Sequence, residues 1–182
     1  MKRLSILALL ICPMVSAFSQ DMLSVTGGYS TAIIKDTDVN ATGVKITGHY
    51  EFLPKDMKWS FGISTGYINV KATDDEAGID YNVQDFPLYA SPKYYLGSGK
   101  FRGFAKVSIG AHTTIVKKTG NTLDEEDRDL GFVLGGGAGA TYWVGEKIFL
   151  VADYELLRLS NGYLKNSLLN TFSAGLGIKL SK

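Results

Sequence analysis

From residue 22 onward the chain alternates apolar and polar positions with a period of two, the pattern of strands that bury one face. The last stretch is the clearest, with Phe172, Ala174, Leu176, Ile178 and Leu180 on one face and Thr171, Ser173, Gly175, Gly177 and Lys179 on the other. Val44, Ile46, Tyr50 and Phe52 alternate in the same way with Lys45, Thr47, His49 and Glu51. Ala105, Val107, Ile109 and Ala111 oppose Arg102, Lys106, Ser108, Gly110 and His112. Ile148, Leu150, Ala152 and Tyr154 oppose Asp153 and Glu155, after which Leu156-Leu157 breaks the pattern and suggests a bulge.

The alternation predicts eight strands, near 22–34, 43–53, 58–72, 86–97, 101–116, 130–144, 147–160 and 168–181. Short turns join strands two to three, four to five and six to seven, at Leu53 to Asp56, Ser98 to Lys100 and Gly145-Glu146. Longer polar connections run from Lys35 to Thr42, Thr73 to Asp85, Lys117 to Asp129 and Asn161 to Ser167. An even strand number with short turns at one end and long loops at the other fits an all-β, eight-stranded antiparallel up-and-down transmembrane β-barrel.

A soluble barrel would hold an apolar ligand inside and show its charges to water, whereas a membrane barrel inverts the faces. Three features favour inversion. The polar face is built mostly of small residues, such as Gly62, Ser64 and Gly66, or Gly135, Gly137 and Gly139. Aromatic residues collect toward both ends of the apolar face: Tyr50, Phe52, Trp59, Phe61, Tyr94, Phe101 and Tyr142 by the short turns, Tyr29, Tyr67, Phe132 and Tyr154 toward the loops. The central stretches carry no charge on that face, where a lysine or arginine would cost about 2–4 kcal/mol.

Composition is consistent with this placement. The 182 residues suggest one domain, and 19 basic against 18 acidic residues create no field for nucleic acid. Mean hydropathy is +0.04, the average an apolar outside and a polar inside must give. No 18-residue apolar run exists, so no transmembrane helix is expected. Lys2-Arg3, the apolar run Leu4 to Ile11 and the small residues Val15 to Ser19 have the layout of a secretory signal peptide. Residues 1–19 are therefore expected to be cleaved, after Ala17 or Ser19, and residues 20–182 to form the barrel. Cys12, the single cysteine, leaves with the signal, so no disulfide or thiolate site is expected.

The segment Phe86-Pro87-Leu88-Tyr89-Ala90-Ser91-Pro92-Lys93-Tyr94-Tyr95-Leu96 and the terminal Ser173-Ala174-Gly175-Leu176-Gly177-Ile178-Lys179-Leu180 carry a family resemblance. The chain resembles the small eight-stranded outer-membrane β-barrel proteins, the group of the OmpA transmembrane domain and OmpX, in their Bacteroidetes-type form. The terminal stretch is similar to an outer-membrane insertion signal but ends in Leu180-Ser181-Lys182 rather than an aromatic. The resemblance implies an outer-membrane location and a barrel-assembly machine as folding partner. Surrounding lipid and lipopolysaccharide and an unidentified loop ligand would be the other partners of an expected monomer.

For chemistry, the predicted inward set holds Lys45, His49, Glu51, Lys93, Arg102, Lys106, His112, Asp153, Glu155 and Lys179. Eight strands leave room only for side chains, so these residues are expected to form an ion-pair network that fills the lumen. His49 and His112 stand on different strands with no metal-ligand spacing, and the acidic runs Asp74 to Glu76 and Asp124 to Asp127 lack the pattern of a calcium loop. Gly135 to Gly139 is not a dinucleotide fingerprint, because no helix follows. No cofactor or metal is expected.

Arg158-Leu159-Ser160-Asn161-Gly162, with Asn166 and Asn170, resembles the signature of outer-membrane lipid A deacylases. That resemblance implies Ser160 as nucleophile and Asn161 near the oxyanion, but Arg158 occupies the place of the histidine base. A guanidinium stays protonated and cannot accept the serine proton. A non-enzymatic barrel serving envelope structure or surface interaction is therefore the expected function. A deacylase-like esterase and a soluble periplasmic ligand-binding barrel are the alternatives.

Overall fold

The structure, a computed structural model, describes residues 19–35, 38–55, 57–120, 123–160 and 163–180. The expected signal peptide, apart from Ser19, and the residues Asn161 and Gly162 of the serine motif lie outside them. Nine strands form among the described residues: β1 Ser19–Ile34, β2 Asn40–Pro54, β3 Trp59–Asp74, β4 Ile79–Ala90, β5 Lys93–Leu96, β6 Phe101–Gly120, β7 Leu123–Trp143, β8 Ile148–Leu159 and β9 Leu164–Lys179. Neighbouring strands of the sheet pair antiparallel, and β1 pairs with both β2 and β9, so the sheet closes on itself.

β4 and β5 are two parts of one stave, since both lie between β3 and β6. They part at Ser91-Pro92, where proline has no N–H for the ladder. Ser91 N–H donates to the Gly62 carbonyl at 2.8 Å, and Val107 N–H to the Pro92 carbonyl at 3.1 Å. The expected eight staves are present, with the fourth interrupted.

Two expectations are corrected. The long outer loops are mostly hairpins. β3 and β4 stay paired as far as Asp74 and Ile79, and β6 and β7 as far as Gly120 and Leu123. The acidic run at the latter falls within β7, where Glu126 faces Lys117 and Glu125 faces Lys118. Opposite charges across an antiparallel pair favour continued pairing, so charge density here marks a solvated ladder rather than a loop. The Leu164–Ser167 part of the last expected loop likewise belongs to β9.

Nor is there a bulge at Leu156-Leu157, since β7–β8 and β8–β9 run in unbroken register through both residues. Leu156 points outward and Leu157 is fully buried, so alternation continues with an apolar residue inside. The register shift lies instead between β1 and β9, at Ala32/Ile34.

The lumen is layered. Ile34, Val70, Val83, Val116, Leu157, Leu159 and Leu164 belong to an apolar cluster at the loop end. Met22, Leu53, Tyr95, Phe104, Phe149 and Val151, with Trp143 against them, form another at the short-turn end. Polar side chains fill the waist between them. Outside, Leu88, Ile109, Leu134 and Leu176 are more than half exposed, as a lipid-facing wall requires. Aromatic pairs mark its two borders: Trp59–Tyr94 at the turn end (centroids 4.9 Å apart), Tyr67–Phe86 (5.2 Å) and Tyr154–Phe172 (4.8 Å) toward the loops.

The outer rim is uneven. β7 pairs in register with β8 only from Val133 onward, so the segment 123–132 has its ladder with β6 alone and meets the β8–β9 side through single bonds, Phe132 to Ser160 and Asp127 to Tyr163.

Candidate functional site

Period-two geometry points every second residue of each strand into the lumen, and eight staves bring those residues within reach of one another. Glu155 on β8 accepts from Lys45 of β2 and Tyr89 of β4 (3.1 Å) at one oxygen, and from Ser108 (3.0 Å) and Lys106 (3.1 Å) of β6 at the other. Lys106 also pairs with Asp153. Glu51 on β2 accepts from Lys93 of β5 at 2.6 Å, from Tyr95 at 2.7 Å and from His49 at 3.2 Å. Three ammonium groups thus meet three carboxylates, and the waist is electrically balanced.

Of the predicted inward residues, the structure joins Lys45, His49, Glu51, Lys93, Lys106, Asp153 and Glu155 in this network. Arg102 stays at the turn-end rim, bonded to the Gly99 carbonyl at 3.3 Å with its guanidinium 5.9 Å from the Trp143 ring centre. Lys179, half-buried, pairs in register with Met22 and takes no part in the network. Tyr89 and Tyr95 were missed as network members, although both lie on the same alternating stretch as Lys93.

His112 forms a separate site with a carboxylate that sequence reasoning placed in a loop. Asp85 belongs to β4, and its Oδ1 lies 2.6 Å from His112 Nδ1 and accepts from Thr114 Oγ1 at 2.6 Å. The signal was present in the alternation of Tyr81, Val83, Asp85, Pro87 and Tyr89 on the inward face. A carboxylate only accepts, so His112 carries its proton on Nδ1 and leaves Nε2 bare. That Nε2 and Asp85 Oδ2 are buried without a partner.

Between the charged residues lies a cavity of about 30 Å³, lined by Lys45, His49, Tyr89, Lys106 and Glu155 among others. That is room for one water molecule. Among the described residues, no group of three or more histidines or carboxylates is placed to hold a metal ion.

At the outer rim, Arg128 and Lys117 hold the exposed Glu126 carboxyl below its ordinary range. Tyr163, in the turn between β8 and β9, donates to Asp127, which lowers that carboxyl and pushes the phenol up to about 12. In the serine motif, Arg158 is exposed and turned outward, opposite in parity to the buried Leu157 and Leu159. It supplies no base to Ser160, whose Oγ accepts from the Phe132 N–H at 2.6 Å.

Comparison with known proteins agrees with this geometry. A family model described as outer membrane protein beta-barrel domain matches residues 5–179. Among solved structures, neisserial surface protein A is similar at 15% identity and a TM-score of 0.69, over 88% of this chain and 97% of that one. A major outer membrane protein from Thermus thermophilus is similar at 12% identity and 0.62, over 88% and 99%. The attachment invasion locus protein of Yersinia pestis is similar at 16% identity and 0.57, over 87% and 98%. No curated protein matches the chain.

Proposed function

Because the chain belongs to the outer membrane protein β-barrel domain family, we propose that it is a sealed barrel serving envelope structure or surface interaction through its outer hairpins. The observation that carries this reading is the filled lumen. Balanced ion pairs occupy the waist around a cavity of about 30 Å³, and an apolar cluster closes each end. Eight staves leave no aqueous path once their side chains pack.

The outer hairpins are the part available to a partner. The β6–β7 hairpin presents Lys117, Glu126 and Arg128 on its outward side and rises above the β8–β9 turn. On this reading the N-terminal signal is removed, lipid and lipopolysaccharide surround the wall, and a barrel-assembly machine inserts the chain. The attachment invasion locus protein has the same fold, so a surface role is compatible with a barrel of this size. Nothing in the reading requires catalysis.

The test combines a measurement on purified protein with one on intact cells. Planar-bilayer recording is expected to show no channel steps, and external protease on intact cells is expected to cut only at the outer hairpins. Steady conductance would overturn the sealed lumen. Recovery of the folded protein in a detergent-free aqueous fraction would overturn the membrane barrel itself.

A further inference from the structure

The end of β8 places a serine hydroxyl beside the bare nitrogen of His112. Gly131 of β7 lies opposite His112 in the β6–β7 register. A β-carbon on Gly131 would lie 2.5 Å from His112 Nε2 and 2.8 Å from Ser160 Oγ. Both atoms therefore reach into the space that glycine leaves open, and their separation cannot exceed the sum of those distances. Ser160 is exposed, whereas the His112 side chain is fully buried. The hydroxyl is thus open to an incoming molecule while the nitrogen behind it is shielded from water.

We propose that Ser160, His112 and Asp85 form a nucleophilic acyl-transfer site at the outer mouth of the barrel. Asp85 is the positioning residue: its bond to Nδ1 fixes the tautomer that leaves Nε2 as a base, and Thr114 holds the carboxylate in turn. Ser160 Oγ accepts the Phe132 N–H, which leaves its own hydrogen to pass to Nε2 when a substrate draws the two together, a bond the resting structure does not make. Phe132 turns that amide toward Ser160, at the point where the β7–β8 ladder ends and the β7 edge beyond it is open. Residues two apart on a strand direct their amides alike, so the same edge presents the Leu130 N–H to a developing oxyanion.

The step balances with water as the second reactant. Ser160 Oγ bonds to an ester carbonyl carbon as its proton passes to His112 Nε2. The carbon–oxygen bond to the alcohol breaks, and the alcohol oxygen takes that proton. Water, deprotonated by the same nitrogen, then releases the acid and restores the hydroxyl. Leu130 and Phe132 flank the serine and are the most exposed large apolar side chains described, at 75% and 77%. They assign the substrate class as an ester with an apolar acyl chain, presented at the membrane surface.

The folded protein in phosphatidylcholine vesicles, treated with a fluorophosphonate, is expected to carry the adduct on Ser160 by peptide mass spectrometry, and Ser160→Ala to carry none. His112→Gln should slow labelling at least about 100-fold, the scale of a lost general base. Asp85→Asn should lower kcat on a soluble p-nitrophenyl ester with KM unchanged, a split that a packing defect does not produce. Folding of each variant is checked by its heat-dependent mobility on a detergent gel. Absence of a Ser160 adduct in the wild-type protein, or labelling indifferent to His112→Gln in a folded variant, overturns the site. Turnover of the soluble ester with none of a vesicle-borne ester overturns the lipid assignment.

Discussion

Two buried histidines face the same lumen and meet opposite fates. His49 sits at the waist with both ring nitrogens engaged, Nδ1 with Ser64 at 2.8 Å and Nε2 with Glu51 at 3.2 Å. His112, nearer the outer mouth, has Nδ1 on Asp85 and nothing on Nε2. Glu51 and Glu155 each accept at both oxygens from three or more donors, while Asp85 takes both of its donors on one oxygen and leaves the other unused. Pairing of every charged group makes the waist a structural fill. Leaving one base bare gives the outer region chemistry that the waist lacks, at a cost of about 1–3 kcal/mol per orphaned group.

The sharpest way to break that contrast is to remove a carboxylate from each region. Glu155→Gln strands Lys45 in the lumen, leaves Lys106 with Asp153 alone, and should lower unfolding stability by about 4 kcal/mol in urea titrations of the vesicle-embedded protein. Asp85→Asn, with no lysine paired to it, should cost about 1 kcal/mol in the same assay. Equal losses would erase the distinction.

Next in size is Leu157→Ala, expected to cost about 3 kcal/mol because the side chain is fully buried in the outer cluster. A loss under about 1 kcal/mol would indicate a bulge that turns Leu157 toward lipid. His49→Ala, which removes two hydrogen bonds, should cost about 2 kcal/mol.

The smallest effects belong to the rim. Lys117→Ala breaks an exposed pair with Glu126 and should leave the urea midpoint unchanged. Tyr163 should ionise near pH 12 by its absorbance at 295 nm, and Asp127→Asn should return it toward 10. Because folding raises this phenol above its ordinary value, its contribution is complete below about pH 10 and is lost as pH rises through 12.

Much of this was legible in the alternation of the chain. Closure, strand number, the direction of the faces and seven members of the waist network follow from period two and the small residues of the inward face. What failed has two causes. An inward face was expected to be polar throughout, so Leu157 and Leu159 read as a break when they are part of an inner plug. Likewise, charge was taken to mean loop, which hid the upper β6–β7 ladder and detached Asp85 from its strand. The link from His112 to Ser160 joins residues on different strands across a glycine, and no local spacing encodes such a meeting. A search for a base two residues from the serine finds only Arg158.

The pairing of β1 with β9 has a consequence for how the barrel is made. The ring's seam joins the two extremes of the chain, so its contacts have the greatest sequence separation the molecule can offer. Closure must therefore wait until the last strand has been delivered. The seam suits late joining: Thr26 meets Gly175, Gly28 meets Ser173, and a β-carbon on Gly175 would strike the Val25 carbonyl. Few side chains have to be cleared from the lumen side of that line before the backbones lock, so the barrel can remain an open, curved sheet until its last strand arrives and then close like a clasp.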